Sequence, residues 1–90
     1  KEVSFFKFIY CLISEDEVVY VGKTISIQSR IFNHKKEGLK KFDSFAIVAQ
    51  LPNEISASEL LKIEEKYIKL LKPKYNITHN ENNHKEVFSH

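Results

Sequence analysis

Tryptophan and methionine are absent from this 90-residue chain, cysteine occurs once, and glycine and proline occur twice each. The lone Cys11 excludes an internal disulfide and a cysteine-based zinc site, and it fits a reducing compartment, the cytoplasm. No apolar run approaches the ~18 residues of a membrane-spanning helix, and no basic-then-apolar leader opens the chain. Charge of one sign is lacking too. Fourteen Lys and Arg stand against twelve Asp and Glu, a net charge of +2 that is compatible with nucleic acid but does not argue for it. What is present, 42% hydrophobic and 29% charged residues, is the composition of an ordinary globular domain. A chain this short buries little more than ~60% of its extended surface. One modest core of Phe, Ile, Leu, Val and Tyr is therefore expected.

Residues Phe5 to Ile13 are aromatic and β-branched and predict a strand with Phe6, Phe8, Tyr10 and Leu12 on one face. Ser14-Glu15-Asp16 breaks it, and Glu17 to Gly22 predicts a second strand, so the two form an antiparallel hairpin. A three-residue loop sets Tyr10 opposite Tyr20 on one face, whereas a two-residue loop sends them to opposite faces, because side chains alternate. With no glycine in the turn, turn chemistry leaves both registers open. From Ser26, a candidate N-cap, to about Lys36 the spacing of Ile27 and Ile31 is helical, with Gly38 as a stop signal. A third strand is expected over Phe45 to Gln50, closed by Pro52. Ser56 and Glu59 form a capping box for a longer helix that runs to about Leu71 and is ended by Pro73. Residues 77–90 are polar and aperiodic and predict a tail. The order β-β-α-β-α makes the fold α+β, a small antiparallel-rich three-stranded sheet flanked by helices.

Glu64 is the sharpest chemical signal. At ~100° per residue, Leu60, Leu61, Tyr67, Ile68 and Leu71 fall on one arc of the long helix with Glu64 at its middle, while Lys62, Lys66 and Lys69 project elsewhere and Glu65 points away. A carboxylate withdrawn from water requires a cation, either a metal ion or an arginine. Mere tolerance at a helix edge, or pairing with a lysine at the core edge, is the less favoured expectation. Arg30 and His34 lie four apart beside the Ile27–Ile31 stripe. Either Arg30 snorkels over the core, or its guanidinium grips a phosphate with an imidazole beside it. Tyr10 and Tyr20 are each ordinary strand filler when taken alone. Gly22-Lys23 allows close backbone approach to a ligand and offers a cation, but no GxxxxGK[ST] pattern is present, so a phosphate-binding P-loop is excluded. The tail histidines His79, His84 and His90 have the spacing and polar setting of solvated side chains.

Taken in order, Phe8-Ile9-Tyr10, Tyr20-Val21-Gly22-Lys23, Arg30 and His34, Glu64, and Pro73-Lys74-Tyr75-Asn76 resemble the GIY-YIG nuclease family, over roughly residues 5–76. That family includes homing and restriction endonucleases and the incision domain of bacterial excision repair. Phe8 stands where the first motif usually has glycine, and Val21 replaces isoleucine. The resemblance implies a nuclease domain over residues 1–76 and a metal-dependent endonuclease acting on nucleic acid, DNA more than RNA. It implies Tyr10, Tyr20, Arg30, His34 and Glu64 as catalytic residues, Glu64 as the ligand of Mg²⁺ or Mn²⁺, and Lys23 and Asn76 as groups that bind substrate or support the site. A single carboxylate fits one metal ion and not a two-metal clamp. A tyrosine is then the base, Tyr20 ahead of Tyr10, with Lys23, Arg30 and the metal lowering its pKa from ~10. Specificity is expected from a partner domain or a homodimer, and no membrane is involved. The competing expectations are a catalytically silent module that binds nucleic acid or protein, and a structural Glu64–Arg30 ion pair.

Overall fold

The computed structural model describes residues 6–76. Five elements follow one another: β1 (Phe6–Ser14), β2 (Glu17–Thr24), α1 (Ile27–Glu37), β3 (Ser44–Pro52) and α2 (Ala57–Leu71). The expected tail, with His79, His84 and His90, lies outside the described residues, as does Phe5.

The strands form one antiparallel sheet in the order β2-β1-β3, an α+β arrangement. The central strand is buried on both faces, so its middle reads as a continuous apolar run, Ile9-Tyr10-Cys11-Leu12, instead of alternating with polar residues. Alternate residues feed two cores. Ile9 and Cys11 join Val21 beneath Leu60, Ile63, Tyr67, Ile68 and Leu71 of α2. Tyr10 and Leu12 join Val19 and pack against Ile27 and Ile31 of α1. The two helices therefore cover opposite faces of the sheet. Leu61, expected on the packed arc of α2, is 45% exposed, and Ile63 takes a place in the core instead.

The helix ends follow local chemistry with one correction. Ser56 caps α2 by accepting the Glu59 amide at 3.1 Å, and the helix closes on Lys72 in the left-handed region, one residue before Pro73. Ser26 has the extended backbone of an N-cap, but its side chain makes no capping bond. Thr24 Oγ1 accepts the Ser26 amide at 3.0 Å instead. Gly38, with φ of 67°, closes α1 and donates its amide to the His34 carbonyl.

Candidate active site

The hairpin connection settles the position of the tyrosines. Ser14 pairs with Glu17, so the loop is the two-residue Glu15-Asp16, and both residues have positive φ, 51° and 66°, the backbone of a tight hairpin turn. Neither is glycine, and each left-handed residue costs of order 1 kcal/mol. Asp43 offsets part of that by accepting the Glu15 amide through Oδ2 at 3.0 Å. A regular ladder from this turn would place Tyr20 opposite Cys11, on the wrong face. The register shifts between Leu12 and Ile13, however, so that Ile13 opposes Val18 and Leu12 opposes Tyr20. The extra residue, Val19, is a β-bulge that returns Tyr20 to the Tyr10 face. The two rings end with centroids 6.2 Å apart.

Gly22 lies opposite Tyr10 on that face. A Cβ there would stand 2.7 Å from the Tyr10 hydroxyl and 2.8 Å from Tyr20 Cε2. The close approach anticipated for a ligand is thus made by the two phenols themselves.

α1 brings Arg30 and His34 to the same place. His34 is buried, and its Nε2 lies 2.8 Å from the Tyr10 hydroxyl, while Nδ1 and Arg30 Nε are buried without a partner. Burial drives the His34 pKa below its usual value, with Lys40 and Arg30 acting in the same direction, so the imidazole is neutral. Phe42 stacks edge-on against it with centroids 6.3 Å apart. The Tyr10 side chain is sealed from solvent, and burial pushes its pKa up to about 12 against the opposing pull of Arg30. Burial raises Tyr20 as well, with Arg30 and Lys23 opposing. The expected lowering of the phenol pKa does not occur in the protein alone, because desolvation outweighs the nearby cations.

Glu64 is withdrawn from water as its helical position implied, with a side chain only 13% exposed, and Lys23 Nζ meets its Oε1 at 3.0 Å. The less favoured expectation, a lysine partner, is what this structure holds, and among the described residues there is no Glu64–Arg30 pair. Asn76 plugs the free edge of β2. Its Oδ1 accepts the Val21 amide at 2.7 Å and its Nδ2 donates to the Val21 carbonyl at 3.0 Å, so the side chain replaces a neighbouring strand. Around this edge runs a groove of ≈ 530 Å³ lined by Tyr20, Leu61, Glu64, Ile68 and Asn76, with the exposed Glu65 and Lys69 at its rim. Leu61 and Lys69 were not expected at a site, and neither was Lys40, whose Nζ lies 4.8 Å from the Tyr20 ring centroid. Helical periodicity assigns Leu61 to a core because it cannot separate a core-facing residue from a groove-facing one.

The model of the GIY-YIG catalytic domain matches residues 6–76. The chain belongs to the GIY-YIG family. Among curated proteins it is similar to the UvrABC system protein C of Gluconobacter oxydans, 32% identical over 77% of this chain and 12% of that protein. The corresponding proteins of Cronobacter sakazakii and Haemophilus influenzae are 34% and 31% identical, over 67% and 70% of this chain and 11% of each relative. The chain thus spans about a tenth of the length of these relatives. No solved structure matches it significantly. The domain is of the GIY-YIG endonuclease type.

In GIY-YIG terms, the first motif is carried by the buried central strand and the second by the bulged edge strand, and Phe8 in the glycine position packs beside Phe6 with centroids 6.4 Å apart. Among the described residues no group of three or more His, Cys, Asp or Glu side chains comes together. One largely buried carboxylate at the wall of a groove fits a hard, mostly water-coordinated divalent ion bound through a single protein ligand.

Proposed function

We propose that this domain hydrolyses phosphodiester bonds of DNA, with the scissile phosphate in the groove at the edge of β2. The observation that carries this reading is the convergence of Tyr20, Glu64 and Asn76 on one groove, with Arg30 close enough to influence both phenols. Glu64 holds Mg²⁺ or Mn²⁺, which when bound supplies charge neutralisation at the phosphate and at the leaving oxygen. Arg30, whose guanidinium lies against Tyr10 and beside Tyr20, stabilises the negative charge that the phosphate gathers in the transition state. Tyr20 is the tyrosine that reaches the groove, and as base it takes the proton of the attacking water in its phenolate form. That form is favoured by Arg30 and Lys23, and by a divalent ion on Glu64, against the burial that raises the Tyr20 pKa. Tyr10 is sealed, so it acts as a positioning residue, held by His34 and packed against Tyr20. Asn76 keeps the β2 edge in register behind Tyr20.

Because the domain spans only a tenth of its curated relatives, we assign sequence or structure specificity to a partner domain or to a second copy of the chain. The buried free thiol of Cys11 suits the reducing cytoplasm. Glu64→Ala is expected to abolish Mg²⁺-dependent cleavage of plasmid DNA while the circular dichroism spectrum is unchanged. Full Mg²⁺-dependent activity in that variant would refute the assignment. Parallel assays on single-stranded DNA and RNA, with Mg²⁺ or EDTA, test the preference for DNA.

A further inference from the structure

Lys23 and Glu64 make the single ion pair among the described residues. They come from the end of β2 and the middle of α2, forty-one positions apart in sequence. The two ends of the pair differ in a way that bears on function. The carboxylate is 13% exposed, so without a cation it would lose hydration with nothing in return. The ammonium is 43% exposed and sits on a flexible four-carbon stem, so it leaves for water at little cost. Its Nζ stands 3.0 Å from Oε1, the space in which an oxygen ligand at ~2.0–2.6 Å would hold a divalent cation. Two cations that close to one another and to one oxygen repel, so the ammonium and the metal exclude each other there.

We propose that Lys23 is a placeholder cation: it holds and orients the Glu64 carboxylate in the metal-free protein and must vacate Oε1 when a divalent cation binds. This rests on the reading of Glu64 as the metal ligand. The consequence is a site that stays assembled without metal, its carboxylate neither swinging into the α2 core nor capturing Arg30. Lys23 thereby sets the metal concentration at which the enzyme switches on, and metal binding releases its ammonium.

The test is a Mn²⁺ titration of the full chain without nucleic acid, following free Mn²⁺ by electron paramagnetic resonance. Lys23→Gln is expected to bind Mn²⁺ roughly three- to tenfold more tightly than the parent, the range of losing a partly buried ion pair and a nearby like charge. Lys23→Arg, which keeps the charge, is expected to stay within about twofold of the parent. In EDTA, Lys23→Gln is expected to melt at a lower temperature, and saturating Mn²⁺ is expected to raise that temperature more than it does in the parent. Equal or weaker Mn²⁺ binding by Lys23→Gln overturns the proposal. If Lys23→Gln does not fold in EDTA, Lys23→Met, which keeps the aliphatic stem, takes its place. Failure of both to fold even with Mn²⁺ also overturns it, since a placeholder is replaceable by the ion. Glu64→Gln separates the two readings: retained Mn²⁺ binding there removes Glu64 as the ligand, whereas lost binding alongside an unchanged Lys23→Gln removes only the placeholder.

Discussion

A methyl group added at Gly22 would stand 2.7 Å from the hydroxyl of Tyr10, a side chain with no exposed surface into which to retreat. The Gly22→Ala protein must push both phenols away from the β2 edge or bend the hairpin. We expect it to lose about 1–3 kcal/mol of stability in urea denaturation, the usual cost of overpacking, and to lose cleavage far beyond what that stability loss explains. Near-parental cleavage would show that the tyrosine positions tolerate a shift. His34 makes a pH-dependent contribution at the same scale. Its folded pKa lies below the unfolded value of 6.5, so the unfolded chain takes up the proton first as pH falls. Stability is therefore fully present above about pH 6.5 and declines below it. His34→Gln is expected to flatten the drop in melting temperature between about pH 7 and pH 5.5, and an unchanged drop would assign the acid sensitivity to other groups.

At the scale of elements, the hairpin and the chain after α2 cooperate to build an edge. β2 is an outer strand, yet Val21 is fully buried and its amide and carbonyl are both bonded by the Asn76 side chain. Asn76→Ala would leave those two backbone groups without partners, at about 1–3 kcal/mol each. We expect a stability loss of about 2–4 kcal/mol, together with faster amide hydrogen exchange at Val21 than in the rest of β2. Unchanged exchange there would mean that water or a neighbouring chain replaces the clamp. The bulge at Val19 is the complementary device. Through one extra residue, a two-residue turn with two left-handed residues becomes compatible with both tyrosines on one face.

At the scale of the whole molecule, the site lies where three layers meet: Tyr10 and Tyr20 from the sheet, Arg30 and His34 from the helix on one face, and Glu64 from the helix on the other. Fourteen Lys and Arg are spread over a chain of 90 residues, so one guanidinium is a small share of the charge that attracts a polyanion. Arg30→Ala is accordingly expected to weaken DNA binding in EDTA by only a few fold, while lowering the cleavage rate by at least about a hundredfold. Equal losses in binding and rate would make Arg30 an anchor with no role at the transition state.

The sequence by itself determined the elements, the α+β class and the family, because helical and strand periodicities, caps and breakers act over a few residues and the motifs keep their order along the chain. It also singled out Glu64, since a carboxylate amid Leu60, Ile68 and Leu71 conflicts with burial whatever the fold. Only the tertiary structure decided what meets what. The hairpin register depended on a bulge that no turn residue announces, and the cation at Glu64 proved to be Lys23, brought from forty-one positions away. The use of Gly22 as room for two phenols, and of Asn76 as a substitute strand, likewise depends on contacts between β2 and distant side chains. So does the upward shift of both tyrosines, for burial and charge are properties of the packed assembly. Packing leaves Tyr10 sealed, Tyr20 facing the groove, Arg30 near enough to act on both phenols, and Glu64 paired with a lysine.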